Sequence, residues 1–129
     1  MSKFRVILDA NFLMTPELHG VDIFSEIERI LNVNYELVVP SVVINELETL
    51  ASKGNSTERS AAKVALGLAN RAKKIETSGE ADEEIIRLAR GKNSIVGTND
   101  TELRKRLREE GVPVIYLRQK SYLNLAGDV

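Results

Sequence analysis

The chain has 129 residues, of which 43% are hydrophobic and 29% charged, with a formal net charge of −1 and no cysteine. This length and composition predict a single domain over residues 1–129 and exclude a disordered chain. The lack of cysteine excludes disulfides, thiolate zinc sites and thiol catalysis, and the single histidine, His19, argues against a Ser-His-Asp triad. Any chemistry must therefore rest on carboxylates, hydroxyls, amides, lysine or arginine.

The small net charge hides a strong segmentation of acids and bases. Residues 17–48 carry seven acids and one base, residues 53–74 six bases and one acid, residues 76–84 five acids and no base, and residues 86–108 seven bases and two acids. Such sorting predicts a bipolar surface. Solvated faces of amphipathic helices would give the same blocks, so charge alone assigns no function.

The N-terminus lacks the apolar run and cleavage site of a signal peptide, and it is typical of a strand that enters a loop. No window approaches the roughly 18 apolar residues of a membrane span. We therefore expect a cytoplasmic protein without a membrane partner.

In chain order, short apolar runs alternate with amphipathic stretches. Strands are predicted over residues 4–8, 37–39, 75–77, 94–97 and 113–117. Helices are predicted over residues 21–31, 41–51, 57–74, 81–90 and from 99 or 100 to 110, with a polar C-terminal tail over 118–129. Apolar strands that alternate with helices are typical of a parallel sheet covered on both faces, which predicts an α/β three-layer sandwich.

Helix-capping residues set several of these boundaries. Asp22, Ser41 and either Asn99 or Asp100 are predicted to begin helices, because short polar side chains accept hydrogen bonds from the first helical N–H groups. Gly111 is predicted to end the last helix in the left-handed conformation.

Two acids follow strands at the edge where a parallel sheet binds ligands, outside the carboxyl ends of the strands. Asp9 ends the first strand and Asp100 follows the fourth, while Glu46 and Asp82 lie on neighbouring helices. If the four carboxylates converge, their repulsion raises their pKa values or requires a cation. Oxygen ligands without His or Cys suit Mg²⁺ or Mn²⁺, which supports phosphodiester hydrolysis. Each acid alone is equally well explained as a cap, loop or solvated helix residue, so the argument depends on the ordered set.

This ordered set resembles the PIN-domain nucleases. The motifs that carry the resemblance are VILDANFLM with Asp9 and Asn11, VVINELETL with Glu46, EADEEIIRLA with Asp82, and SIVGTND with Thr98, Asn99 and Asp100. The resemblance covers essentially the whole chain. The ending GVPVIYLRQKSYLNL looks more like the archaeal and eukaryotic PIN proteins of small-subunit ribosomal RNA processing than like the toxin branch.

The resemblance implies a PIN-like parallel sheet of four to five strands in the order 3-2-1-4-5, one or two Mg²⁺ or Mn²⁺ ions, and endonucleolytic cleavage of RNA that leaves a 5′-phosphate and a 3′-hydroxyl. It implies that the metal-binding and catalytic acids are Asp9, Glu46, Asp82 and Asp100, and that the supporting polar residues are Asn11, Thr98 and Asn99. In this strand order, Asp9 and Asp100 are expected side by side at the point where the order reverses.

Contacts to RNA phosphates are predicted for three pairs of cations, which are Arg59 with Lys63, Arg104 with Arg108, and Arg118 with Lys120. A solvated helix surface is the alternative for the helical pairs. Tyr122 is a candidate for stacking on a base, whereas Tyr116 is expected in the core. The alanine-rich stretch 61–72 would pack within the chain, on a partner helix or on a second copy in a homodimer.

Three functions fit these features. The first is a metal-dependent endoribonuclease acting on ribosomal RNA precursors, with pre-rRNA or ribosomal assembly factors as partners. The second is a toxin-type PIN ribonuclease controlled by a small antitoxin, and the third is a non-catalytic RNA-binding scaffold. Retention of all four acids argues against the third, because a scaffold needs no cluster of negative charge.

Overall fold

The computed structural model describes residues 3–91 and 93–129. The strands are β1 (Phe4–Leu8), β2 (Tyr35–Pro40), β3 (Lys73–Ile75), β4 (Ser94–Gly97), β5 (Val114–Arg118) and β6 (Tyr122–Ala126). The helices are α1 (Ala10–Leu13), α2 (Thr15–His19), α3 (Ile23–Ile30), α4 (Ser41–Lys53), α5 (Ser56–Ala69), α6 (Ala81–Ala89) and α7 (Thr101–Glu109).

The strands form one sheet in the order β3-β2-β1-β4-β5-β6, flanked by helices in a three-layer α/β/α arrangement. Strands β1 to β5 pair in parallel, and β6 runs antiparallel to β5. The predicted fold class and the order 3-2-1-4-5 are confirmed, and β6 extends the sheet by one strand.

The core lies on both faces of the two central strands. Val6, Ile7 and Leu8 of β1 are fully buried, as are Ile95 and Val96 of β4. This burial follows from the apolar runs of these strands, because helices remove both of their faces from water.

Helix α1, which begins the connection from β1 to β2, packs closely against β4. A Cβ atom at Gly97 would lie 3.0 Å from the ring of Phe12, which is itself fully buried. The missing side chain therefore lets the ring pack directly on the strand that precedes Thr98.

Two local predictions were wrong. The loop expected after β1 forms α1 and α2, because the Asp9 carboxylate accepts the Ala10 N–H and Pro16 lies in the first turn of α2. Helices of four and five residues are too short to show a helical period in the sequence. The helix predicted over 57–74 ends at Ala69, which shifts β3 from 75–77 to Lys73–Ile75.

The segment predicted as a polar tail contains β6. Leu123 of β6 donates its N–H to the carboxylate of Glu26 at 3.0 Å, and its carbonyl accepts from the guanidinium of Arg29 at 3.1 Å. Both partners lie on α3, so side chains far away in the sequence provide hydrogen-bond partners for the backbone N–H and carbonyl of Leu123 at the outer edge of the last strand. The short period-2 pattern of the tail is the only sequence signal for this strand.

In the described part of the chain, every helix is too short or too polar to span a bilayer.

Candidate functional site

Asp9 lies at the carboxyl end of β1, where only 5% of its surface is exposed. One carboxylate oxygen accepts the Ala10 N–H at 2.8 Å, and the other accepts the Thr98 hydroxyl at 2.7 Å. Burial raises the pKa of Asp9, the two hydrogen bonds lower it, and the charges of Asp82 and Asp100 raise it further, so the net shift is upward. The charge of this buried carboxylate is costly, so binding of a proton or of a cation would stabilise it.

Amide side chains tie the ends of β1, β4 and β5 together. The Asn11 side-chain oxygen accepts the backbone N–H of Asn99 at 3.0 Å. The Asn99 amide donates to the Thr15 hydroxyl and accepts the Leu117 N–H, both at 2.9 Å. These bonds hold the loop after β4 in one arrangement, next to the carboxylate of Asp9.

Asp100 begins α7, as predicted for one of two neighbouring residues. One of its oxygens accepts the N–H groups of Glu102 and Leu103 at 2.9 and 3.1 Å. Its own N–H donates to the Thr98 hydroxyl at 3.1 Å. The direct neighbour of Asp9 across the strand reversal is therefore Thr98, and Asp100 lies one hydrogen bond further along the same loop.

Glu46 of α4 and Asp82 of α6 face the same edge of the sheet. Burial is the main reason that the pKa of each carboxyl is raised; the charges of Asp9 and Asp82 add to the shift of Glu46, and the charge of Asp100 adds to that of Asp82. Glu46 is the most exposed of the four predicted acids, and Asp9 is the most buried.

Hydrogen bonds join the first residues of α4 to Thr77, in the segment between β3 and α6. The Thr77 hydroxyl accepts the Val42 N–H at 3.2 Å, and the Ser41 hydroxyl accepts the Thr77 N–H at 2.9 Å and donates to its carbonyl at 3.0 Å. Ser41 starts α4 as predicted, but the capping hydroxyl comes from Thr77, 35 residues later. Sequence reasoning missed Thr77 and Thr15, because no local pattern links either residue to its distant partner.

Every pair of the four acids except Glu46 with Asp100 interacts electrostatically, but the acids are not arranged as a complete metal site. Within residues 3–91 and 93–129, no three Asp, Glu, His or Cys side chains are grouped as a metal site. The donor set consists of hard oxygen atoms, which fits Mg²⁺ or Mn²⁺, and a bound cation would offset the cost of charge that raises the pKa values of Asp9, Glu46 and Asp82.

The predicted cations divide into two groups by position. The guanidinium of Arg104 lies over the ring of Tyr116, 3.9 Å from its centroid, so this half-buried tyrosine is not a simple core residue. Arg118 ends β5 and Lys120 lies in the turn to β6, both exposed at the edge that carries the acids.

Two of the other predicted cations bond to backbone carbonyls, and the third is exposed. Arg108, near the far end of α7, donates to the Val112 carbonyl at 3.2 Å. Arg59 donates to the Gly54 carbonyl at 3.0 Å in the turn before α5, and Lys63 is exposed on α5. No bond to the four acids is formed by these three within the described residues.

A family model described as a PIN-like domain matches residues 6–120. The chain belongs to the PIN-like domain family. Among the curated proteins, it is 36% identical to a protein named ribonuclease VapC4 of Methanocaldococcus jannaschii, over 98% of this chain and 99% of that one. It is 33% identical to a protein named ribonuclease VapC9 of Archaeoglobus fulgidus, over 88% of this chain and 82% of the relative.

Solved structures share the fold. The structure of the PIN domain endonuclease Utp24 matches with a TM-score of 0.76 and 25% identity, covering 97% of this chain and 92% of that one. VapBC2 from Rickettsia felis, solved bound to a DNA fragment from its promoter, matches with a TM-score of 0.53 and 17% identity, covering 80% and 92%. The likeness to VapBC2 supports the fold alone.

Proposed function

We propose that this PIN-like protein is a divalent-metal-dependent endoribonuclease of the toxin type. The observation that carries the proposal is the buried carboxylate of Asp9, whose pKa is raised by burial and by two further acids at the same edge of the sheet. Such an arrangement is costly for the fold and useful for holding a cation. Two curated relatives named ribonucleases, which match most of the chain, support the choice of RNA as substrate.

The proposed ligands of one or two Mg²⁺ or Mn²⁺ ions are Asp9, Glu46, Asp82 and Asp100. A divalent ion would lower the pKa of an attacking water and stabilise negative charge on the phosphate. RNA cleavage by this route leaves a 5′-phosphate and a 3′-hydroxyl.

The polar residues of the site would orient these acids. Thr98 donates to Asp9 and accepts from the N–H of Asp100, so one hydroxyl fixes two of the carboxylates. Asn11 accepts the N–H of Asn99, and Asn99 accepts the N–H of Leu117 on β5. These bonds would keep the acids in position when a cation binds to them.

The toxin type is favoured over the ribosomal RNA processing expected from the C-terminal sequence, because the curated relatives are named VapC ribonucleases. A small antitoxin protein is then the expected partner. The likeness to Utp24 at 25% identity keeps pre-rRNA processing as the second candidate. A homodimer gains no support from α5, whose Ala61, Ala62, Ala65 and Ala69 are buried within the chain.

The first test is cleavage of a single-stranded RNA with Mn²⁺ or Mg²⁺, with EDTA as the metal-free control. Asp9→Asn and Asp82→Asn should each abolish cleavage and keep a cooperative unfolding transition, whereas Glu48→Gln on the same helix as Glu46 should cleave like wild type. Removal of one group that acts at the transition state typically costs about 10²-fold or more in kcat. Equal cleavage by wild type and both Asp variants would refute the mechanism and leave a scaffold.

A second experiment separates the two biological roles. Wild type and Asp9→Asn are expressed in cells, and the 5′-phosphate ends of total RNA are sequenced. Growth arrest with new ends in mature RNA supports the toxin type, and new ends confined to small-subunit precursor RNA support the second candidate.

A further inference from the structure

The antiparallel pair β5 and β6 presents one polar and aromatic surface on the same face of the sheet as Asp9. We call this surface, formed by Tyr116, Arg118, Tyr122 and Asn124, the hairpin face. Tyr116 pairs with Asn124, and Arg118 pairs with Tyr122 directly opposite. The side chains of each pair therefore stand next to one another on one side of the two strands.

The register of the sheet connects the hairpin face to the acids. Gly97 of β4 pairs with both Leu8 and Ile115, so Asp9, Thr98 and Tyr116 form the next row across the sheet. Residues in one row project to the same side, and Arg118 projects to that side again two residues further on. A strand of RNA that leaves the carboxylates along this row would meet Tyr116 first, and then Arg118 with Tyr122.

Arg104 and Arg118, the two arginines of this region, form no ion pair within the described residues. The ion pairs of the described residues use four other arginines, which are Arg29, Arg87, Arg90 and Arg106. In the same part of the chain, no carboxylate pairs with Arg104 or Arg118, and Arg104 is held over the Tyr116 ring at 3.9 Å. Tyr122 is 37% exposed, which leaves its ring accessible.

The turn between β5 and β6 is closed by one backbone hydrogen bond. Gln119 and Lys120 both have positive φ values, 53° and 55°, and the Ser121 N–H donates to the Arg118 carbonyl at 3.1 Å. Three residues, 119 to 121, connect Arg118 to its partner Tyr122. The hairpin therefore holds Arg118 and Tyr122 opposite each other before any ligand arrives.

We propose that the hairpin face and Arg104 together bind the single-stranded RNA segment next to the scissile phosphate. One base stacks on Tyr122, and Arg118 and Arg104 contact the phosphates that follow. The position of the scissile phosphate rests on the proposed nuclease function. Four carboxylates repel RNA, so an adjacent surface with uncompensated positive charge is needed to hold the strand, and an aromatic ring accepts only an unpaired base.

RNA binding is measured under conditions in which the protein cannot cleave the RNA. Fluorescence anisotropy follows a short labelled single-stranded RNA on the Asp9→Asn protein in EDTA, with unlabelled duplex RNA and single-stranded DNA as competitors. Adding Tyr122→Ala should weaken binding about tenfold, the low end for loss of one stacked base, and Tyr122→Phe should stay within about twofold. Arg118→Ala should reduce the slope of log Kd against log salt by about 0.7, the value for one phosphate contact.

The matched control is a second arginine over an aromatic ring. Arg71 lies over Phe24 at the same 3.9 Å, between α3 and the segment after α5. Arg71→Ala should leave RNA binding unchanged, whereas Arg104→Ala should weaken it. The melting temperatures of all variants show that each is folded.

The proposal is overturned if Tyr122→Ala binds like its parent, if Arg71→Ala weakens binding as much as Arg104→Ala, or if duplex RNA or single-stranded DNA competes better than single-stranded RNA. The nuclease proposal and the hairpin-face proposal can be refuted independently of each other. RNA binding that depends on Tyr122 in a wild-type protein that cleaves nothing keeps the hairpin face and ends the nuclease assignment. Cleavage with an unchanged KM in Tyr122→Ala keeps the nuclease and ends the role of the hairpin face.

Discussion

At the scale of single residues, the site is a balance between burial and hydrogen bonding. Asp9 loses hydration at the end of β1, and the Thr98 hydroxyl and the Ala10 N–H recover part of that loss. Its pKa nevertheless stays raised, mainly because the carboxyl is buried and to a smaller extent because two more acids share the edge of the sheet. Asp9 and Asp100 could be predicted from the sequence, since each follows an apolar strand. The resemblance implied that Thr98 supports the acids, and the fold shows that its hydroxyl links Asp9 to the backbone of Asp100.

Glu46 gives a stability prediction whose sign follows from its raised pKa. Between 4.5 and the pKa of the folded state, the folded protein binds more protons than the unfolded chain, so this group destabilises the fold as the pH rises. In EDTA, Glu46→Gln should melt a few degrees above wild type at neutral pH, and the difference should vanish as the pH falls toward 4.5. Thermal unfolding across this pH range checks it, with Glu48→Gln as the control. A lower melting temperature for Glu46→Gln would contradict the clustering of carboxylates.

At the scale of elements, α3 holds the last strand by one ion pair. Arg29 donates to both oxygens of Glu26 at 2.9 and 3.0 Å, and the same two side chains bond the N–H and carbonyl of Leu123. The hydrogen bond from Arg29 is the main reason that the pKa of Glu26 is lowered, so its contribution to stability is present above pH 4.5 and lost as the pH falls through the folded pKa.

Removal of this contact should loosen β6 selectively. Glu26→Ala should lower the free energy of unfolding by about 1 kcal/mol at neutral pH, because it leaves the Leu123 N–H and the Arg29 guanidinium without their partner. Urea unfolding measures the loss, and faster hydrogen exchange at the Leu123 amide locates it. Glu28→Ala, an exposed acid on the same helix, is the control. Equal effects of the two substitutions would mean that the pair does not secure the strand.

At the scale of the whole molecule, the acids connect distant parts of the chain, so a bound cation would stabilise the entire fold. Mn²⁺ at about 100 times its Kd should add about 2.7 kcal/mol to the free energy of unfolding of wild type. Asp9→Asn should lose most of this gain, and Glu48→Gln should keep it. Differential scanning calorimetry with and without Mn²⁺ measures the shift, and an equal shift in Asp9→Asn would place the cation elsewhere.

The sequence by itself determined the alternation of strands and helices, the acids that follow β1 and β4, and the cap at Asp22, and it narrowed the cap of α7 to Asn99 or Asp100, because apolar period and capping chemistry are local. The tertiary structure alone decided that Thr77 caps α4, that α3 secures β6, and that β5 and β6 add a cationic, aromatic surface beside the acids. The first two features depend on contacts between residues that are 35 and 97 positions apart, and the third on the pairing of β1, β4 and β5 that places the hairpin beside Asp9. No local pattern records such contacts, since only the packing of the sheet brings the partners together.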